Sequence, residues 1–228
     1  ICNNSAFDST PQDLIIYIPY NLVESYYSAD DWANYKNNLC GYDFKSNEIV
    51  AYIIAYTTTD GKIVQFTKKN VINIYTDGIG KLISNFPFDS IAYRAFRDCS
   101  NLTSITIPDS ITKIEDDAFI GCSNLTRVDI SDLSAWCKID FASSKSNPLC
   151  NGAKLYLNNT EVTELAIPSG ITEIKNYTFY NYSALTSVII PNSVTSIGNA
   201  FSGCSNLTRV DISDLSAWCK IDFASSKS

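Results

Sequence analysis

GCSNLTRVDISDLSAWCKIDFASSKS occupies residues 121–146 and recurs, letter for letter, at residues 203–228. The same 26 residues therefore stand twice in one chain, 82 positions apart. Catalytic machinery seldom needs two copies of one loop, whereas stacked structural units meet identical surroundings again and again. The duplication reads as a repeat array, and the repeats govern everything else.

Aligned on the apolar residue that closes each strand-like pattern, the anchors are Ile107 (SITIP), Ile130 (RVDIS), Ile167 (ELAIP), Ile190 (SVIIP) and Ile212 (RVDIS), at steps of 23, 37, 23 and 22. The last three steps together equal the spacing of the duplication, so the copies are one multi-repeat module starting again. After Pro108 come Ile111, Ile114 and Phe119; after Pro168 come Ile171, Ile174 and Phe179 at the same offsets. After Pro191 come Val194, Ile197 and Phe201, the last one step early. Each unit then reaches a leucine (Leu102, Leu125, Leu185, Leu207) and a short run of alternating Val and Ile, which predicts a strand with one buried face. Such a unit buries about six large apolar side chains at roughly 1.5–3 kcal/mol each, against roughly 1–2 kcal/mol for every backbone residue ordered. Stacking on neighbours has to supply the rest, with parallel strands ~4.8 Å apart.

The unit between Ile130 and Ile167 is longer. Asp132 is placed to cap a short helix through Ile139 that buries Trp136. KLYL and EVTELAI, around Asn158–Asn159, read as a hairpin; in a second parse KLYL forms a coil of its own, anchored at Leu157. Towards the N-terminus, AFDSTPQDLIIYIP reads as a worn repeat. NLVESYYSADDWANYKNNL (residues 21–39) reads as an amphipathic helix with Leu22, Tyr26, Trp32, Tyr35 and Leu39 on its apolar side. IVAYIIAY, TTTDG and KIVQF read as a hairpin turning at Asp60–Gly61. The repeats build up again from Gly80.

Composition excludes several classes of function. The net charge of −7 argues against nucleic acid, whose phosphates demand clustered Lys and Arg. The longest apolar run, Ile49–Tyr56, is far shorter than the ~20 residues of a membrane-crossing helix. There is no His at all, which removes Ser-His-Asp and Cys-His chemistry and the usual zinc sites. No phosphate-binding glycine loop occurs. Of the eight cysteines, Cys99, Cys122 and Cys204 share one repeated motif, and Cys137 and Cys219 another; cysteines that recur with a repeat read as small buried hydrophobes in preference to bridges. Glu115, Asp116 and Asp117 form the densest acidic cluster, read as a polar turn, with a weak calcium site as the other reading.

The units IPDSITKIEDDAFIGCSNLTRV and IPNSVTSIGNAFSGCSNLTRV closely resemble the BspA-like leucine-rich repeat family, over about Ala92 to Ser228, through its pattern IPxSVTxIxxxAFxGCxxL. DLSAWCKIDF…NPL…LYLN resembles an insert of the same family, as does YTTTDGKIV. IYIP…LVESYYSADDWANYK resembles the family's terminal capping repeat, here standing first, which leads us to expect a piece of a longer array. The fold expected is α/β or mainly β: a leucine-rich repeat solenoid of short parallel strands (81–228), preceded by a terminal-type repeat and amphipathic cap helix (1–42) and a β-hairpin linker region (43–80). The resemblance implies bacterial secreted or cell-surface proteins, some of them adhesins for host matrix or other surface proteins. It implies no enzymatic activity, no cofactor and no catalytic residue.

A binding surface is expected where strand residues between the buried anchors face outward: Ser104 and Thr106, Arg127 and Asp129, Glu164 and Ala166, Ser187 and Ile189, Arg209 and Asp211. Stacked, these form one strip, with Arg127 beside Glu164 on the next coil. The residues selected as ligand-binding are Arg127, Asp129, Glu164, Ile189, Arg209 and Asp211. The plainer reading of the same residues is a solvated face, since exposed ion pairs stabilise by only ~0–1 kcal/mol. Two other functions are carried forward: self-association through an open solenoid end, and, remotely, a glycan-acting enzyme using paired carboxylates ~5–10 Å apart.

Overall fold

Ile105 and Ile107, Val128 and Ile130, and Leu165 and Ile167 are all buried, while the residues between them are not. This alternation is the signature of a strand with one face on the core, and parallel pairing repeats it coil after coil. The computed structural model describes residues 16–19, 39–43, 48–49, 52–64, 72–76, 79–84 and 88–223. In chain order the strands are β1 (Ile16–Pro19), β2 (Leu39–Asp43), β3 (Glu48–Ile49), β4 (Tyr52–Thr58), β5 (Ile72–Thr76), β6 (Ile79–Ser84), β7 (Ser90–Ile91), β8 (Leu102–Thr106), β9 (Lys113–Ile114) and β10 (Arg127–Ile130). Helix α1 (Leu133–Lys138), β11 (Asp140–Phe141), a 3-10 turn (Pro148–Asn151), β12 (Lys154–Leu157), β13 (Thr160–Glu161), β14 (Glu164–Ala166) and β15 (Glu173–Ile174) follow. Then come β16 (Ser187–Ile190), β17 (Ser196–Ile197), β18 (Arg209–Ile212), α2 (Leu215–Trp218) and β19 (Asp222–Phe223).

The chain is mainly β, and its repeats stack as short parallel strands. β8, β10 and β12 form one parallel ladder, with Ile105 beside Val128 and Val128 beside Leu155. β14, β16 and β18 form a second, with Leu165, Val188 and Val210 in line. Each coil also contributes a two-residue strand to a lateral ladder, β7–β9–β11 or β15–β17–β19. Within a coil, Ile111, Ile114, Phe119 and Leu125 point into the core, each at 2% exposure or less. Phe96 stacks on Phe119 at 5.1 Å, and Phe179 on Phe201 at 5.4 Å, the ring planes nearly parallel, so the rings follow the strand spacing. Threonine ties coil to coil twice over. The Thr126, Thr186 and Thr195 hydroxyls and amides all donate to the carbonyl 23 residues back, at Thr103, Thr163 and Thr172.

The long unit follows the second parse. β12 pairs with β10 in anchor register, Ile130 beside Leu157, and so supplies the coil that a bare hairpin would omit. The reason is the open edge of β10: Leu155 and Leu157 offer it a strand with the right buried face. A short hairpin remains. Asn158 and Asn159 both adopt positive φ (49° and 67°), and Tyr156 and Leu157 pair antiparallel with β13. Ile167 anchors a separate sheet. The Asp132 cap is as expected: its carboxylate accepts from the Ser134 amide at 2.7 Å, and Trp136 is buried.

The hairpin expected at Asp60–Gly61 is not the pairing seen. β4 is held antiparallel by β6 on one edge and β8 on the other, and Lys62–Val64 is not a strand. The ladder of β8 gives β4 a longer partner, joined by the Thr57 hydroxyl to those of Thr103 (2.7 Å) and Ser104 (2.6 Å). Gln65 and Phe66 lie outside the described residues. So does the proposed helix over 21–38, while Leu39, assigned to its apolar side, begins β2. β2 pairs parallel with β1, Ile16 beside Leu39, at the 23-residue step of the repeats.

Candidate functional site

Arg127 and Asp129 flank the buried Val128 on β10, so alternation carries both to the outer face. There Arg127 is pinned from three sides. Its Nε donates to Asp129 Oδ2 at 2.8 Å, and Nη2 donates to Asp129 Oδ1 at 2.6 Å and to Asn159 Oδ1 at 2.8 Å. The guanidinium carbon lies 3.9 Å from the centre of the Tyr156 ring, in cation–π range. The hydrogen bonds to Asp129 hold the guanidinium still more firmly in its charged form. Alongside, Lys154 Nζ donates to Glu161 at 3.0 Å, which raises the ammonium's pKa.

The six selected residues do not form one strip. Arg127 has Lys154, not Glu164, beside it on the next coil, because β12 intervenes. Arg127 and Asp129 therefore belong to one ladder, and Glu164, Ile189, Arg209 and Asp211 to the other. In that second ladder Glu164, Ser187 and Arg209 are in line, as are Ala166, Ile189 and Asp211. Ile189 is 50% exposed. Arg209 Nε meets Asp211 at 2.9 Å, yet its side chain is 72% exposed against 34% for Arg127, with no counterpart of Tyr156 or Asn159 over it among the described residues. Lys154, Tyr156, Asn159 and Glu161 were missed. The L-x-L alternation of KLYL would have found Lys154 and Tyr156 once the segment was read as a coil strand.

The acidic cluster is dispersed among partners. Glu115 pairs with Lys113 at 2.7 Å, Asp117 with Arg94 at 3.5 Å and Arg97 at 3.7 Å, and Asp116 accepts from the Ser143 hydroxyl, which lowers its pKa. Among the described residues no three His, Cys, Asp or Glu side chains are placed to hold a metal ion. Among the described residues six cysteines, including Cys122, Cys137 and Cys204, are free thiols. Cys122 and Cys204 donate to the Phe96 and Phe179 carbonyls one coil back, at 3.0 and 3.1 Å. Burial pushes Cys122 and Cys137 up to about 12, far from a reactive thiolate. No helix among the described residues is long and apolar enough to cross a membrane.

The family pattern described as BspA type leucine rich repeat region matches residues 75–147 and 152–227, in six copies. Among solved structures, a leucine rich cell surface protein from Faecalibacterium prausnitzii A2-165 aligns at 24% identity over 80% of this chain and 42% of its own, with a TM-score of 0.38. The T. pallidum leucine rich repeat protein aligns at 19% identity over 67% of this chain and 71% of its own, TM-score 0.40. A leucine-rich repeat protein from Bacteroides ovatus aligns at 21% identity over 70% and 45%, TM-score 0.34. The chain thus spans less than half the length of the first and third of these. No curated protein matches.

Proposed function

The chain belongs to the BspA type leucine-rich repeat family, and from that premise we propose that it is a non-enzymatic protein-binding module of a bacterial secreted or cell-surface protein, of adhesive use. It binds through the outer strand face, with Arg127, Asp129, Glu164, Ile189, Arg209 and Asp211 as contacts and a host matrix or other surface protein as ligand. The observation that carries this reading is the held posture of Arg127. Fixed by Asp129, Asn159 and Tyr156, it presents a charge with little rotamer freedom left to lose on binding. Repeat arrays offer such extended faces to partners. Ile189, half-exposed between Ala166 and Asp211, supplies an apolar contact on the second ladder.

The test is biosensor binding of the chain to immobilised matrix proteins. Binding lost on Arg127→Glu and Arg209→Glu, with the fold unchanged by circular dichroism, supports this face; undiminished binding moves the site elsewhere. A second reading, self-association through an open end, is favoured by exposed Val210, Leu215 and Phe223 near β18; concentration-dependent mass in light scattering would bring it forward. Among the described residues, the glycan-enzyme reading gains no support from two cavities. The one of about 350 Å³ is lined by no carboxylate and the one of about 160 Å³ by Glu173 alone.

A further inference from the structure

The lateral strands do not run unbroken along the array: β11 ends one ladder and β15 begins the next. Within a ladder each coil hangs on the one before it by two amides. Thr112 and Glu115 donate to the Asp89 and Ile91 carbonyls at 2.8 and 2.9 Å, and Asp140 and Ala142 donate to those of Thr112 and Ile114 at 2.9 and 3.0 Å. Thr195 and Gly198 donate to the Thr172 and Ile174 carbonyls, both at 2.8 Å. In each case the acceptors are two carbonyls, two residues apart, on one extended chain.

β15 has no such chain before it. The sequence I-T-E-I-K at 171–175 repeats I-T-K-I-E at 111–115, so the Thr172 and Lys175 amides hold the positions of the Thr112 and Glu115 amides. Neither has an acceptor among the described residues. Beside them, against the end of α1, lies a cavity of about 160 Å³. Buried Cys137 and Ile171 give it an apolar part, and Lys138, Lys175, Thr172 and Glu173 also line it. Two ammonium groups against one carboxylate leave the lining net positive. Lys175 Nζ donates to the Lys138 carbonyl at 3.2 Å, so one of the cations spans the cleft.

We infer that this cleft captures the carboxy-terminus of an extended peptide, which adds to β15 as a short parallel strand. The terminal carboxylate takes the place that the Ile91 carbonyl holds for Glu115: it accepts from the Lys175 amide and pairs with the Lys138 and Lys175 ammonium groups. The carbonyl two residues earlier accepts from the Thr172 amide, as that of Asp89 does from Thr112. Parallel direction decides which end is bound, because β15 runs towards Lys175 and so brings the last residue of the peptide to the cations. That residue lies in register with Ile174, and its side chain meets Cys137 and Ile171, where the space suits a small apolar group. Affinity comes from main-chain pairing, and selectivity for a free terminus from charge-assisted hydrogen bonds, which are stronger than neutral ones. This site is separate from the strand face of Arg127 and stands or falls without it.

The probe is the synthetic peptide GSGAAV, labelled at its amino end and free at its carboxy end, titrated with the full chain under reducing conditions and followed by fluorescence anisotropy. The expected result is a saturable rise, competed by unlabelled peptide, with slower hydrogen exchange at the Thr172 and Lys175 amides. The same peptide as its carboxy-terminal amide is expected to bind at least ~10-fold more weakly. Lys138→Gln, a substitution at an exposed position, should weaken the free-acid peptide alone, and Arg127→Glu should change neither, which separates this site from the strand face. No saturation, equal binding of acid and amide, affinity undiminished in Lys138→Gln, or unchanged exchange at Thr172 overturns the inference. So does acetate that displaces the peptide as effectively as unlabelled peptide does, since the cleft would then hold a bare carboxylate and not a strand.

Discussion

Val128 and Val210 occupy the same place in two identical stretches of sequence, and one is wholly buried while the other is 46% exposed. Nothing in the local sequence distinguishes them. The difference is β12, which covers Val128 and has no counterpart over Val210 among the described residues. A coil of this array therefore owes its core to its neighbour as much as to itself, and the duplication supplies matched pairs in which sequence is constant and neighbourhood is not.

Leucine truncation reads that dependence directly. Leu125 is 2% exposed and Leu207 only partly buried at the corresponding position. Leu125→Ala should cost ~2–5 kcal/mol in urea denaturation, through lost transfer energy and the cavity left behind. Leu207→Ala should cost less than half as much, because its surroundings already open to solvent. Equal costs would mean that the second copy is as enclosed as the first.

Backbone conformation gives a second contrast. Gly121 sits at φ +78°, and a Cβ there would meet the Asp98 side chain as well as its backbone. Gly121→Ala should lower stability by ~1–3 kcal/mol. Gly170 has no positive φ and open space about it, so Gly170→Ala should be neutral or stabilise by up to ~1 kcal/mol by restricting the unfolded chain. Thermal melts of the two variants decide the point, and a destabilised Gly170→Ala would contradict it.

What was legible in the sequence was the part with long enough periodicity. Ile107 and Ile130, Ile167 and Ile190, and the phenylalanines that follow each proline announce themselves because several coils repeat them. Leu157 reads first as part of a hairpin for a physical reason: an L-x-L strand beside Asn-Asn suits a hairpin, and only the open edge of β10 makes it a coil strand as well. The lateral strands, such as Lys113–Ile114, are two residues long and too short to show alternation. The posture of Arg127 depends on Tyr156, 29 positions away in sequence and adjacent only after β12 takes its place. The pairing of β4 with β8, Tyr56 beside Ile105 and Thr58 beside Leu102, spans a still longer distance and leaves no local signature.

Alkaline pH should test the buried thiols. Burial raises Cys122 and Cys137 to about 12 and Cys150 to about 11, from an ordinary value of 9.0. Between those limits the unfolded chain holds fewer protons than the folded one, so stability is full below pH 9 and falls as pH rises towards 12. The urea midpoint should drop steadily above pH 9. At pH 8, iodoacetamide should modify the exposed Cys219 readily and leave its buried counterpart Cys137 intact, as read by mass spectrometry. Equal labelling of the two would show that the first copy opens as freely as the second.

Trp136 offers the most selective version of the neighbour test. Its indole Nε1 donates to the Thr178 carbonyl at 3.1 Å, a buried bond that reaches 42 residues along the chain into a later coil. Trp136→Phe keeps most of the apolar bulk but removes the donor, leaving a buried carbonyl short of a partner at a cost of ~1–3 kcal/mol. Asn147 Nδ2 also donates to that carbonyl, at 3.1 Å, which favours the lower end of the range. Trp218, the same residue in the second copy, packs on Phe223 at 5.2 Å and is only partly buried, so Trp218→Phe should change stability by well under 1 kcal/mol. Paired denaturation curves measure the difference. If Trp218→Phe proves as costly as Trp136→Phe, the indole matters through packing within its own coil, and the bond to Thr178 is not what joins the two modules.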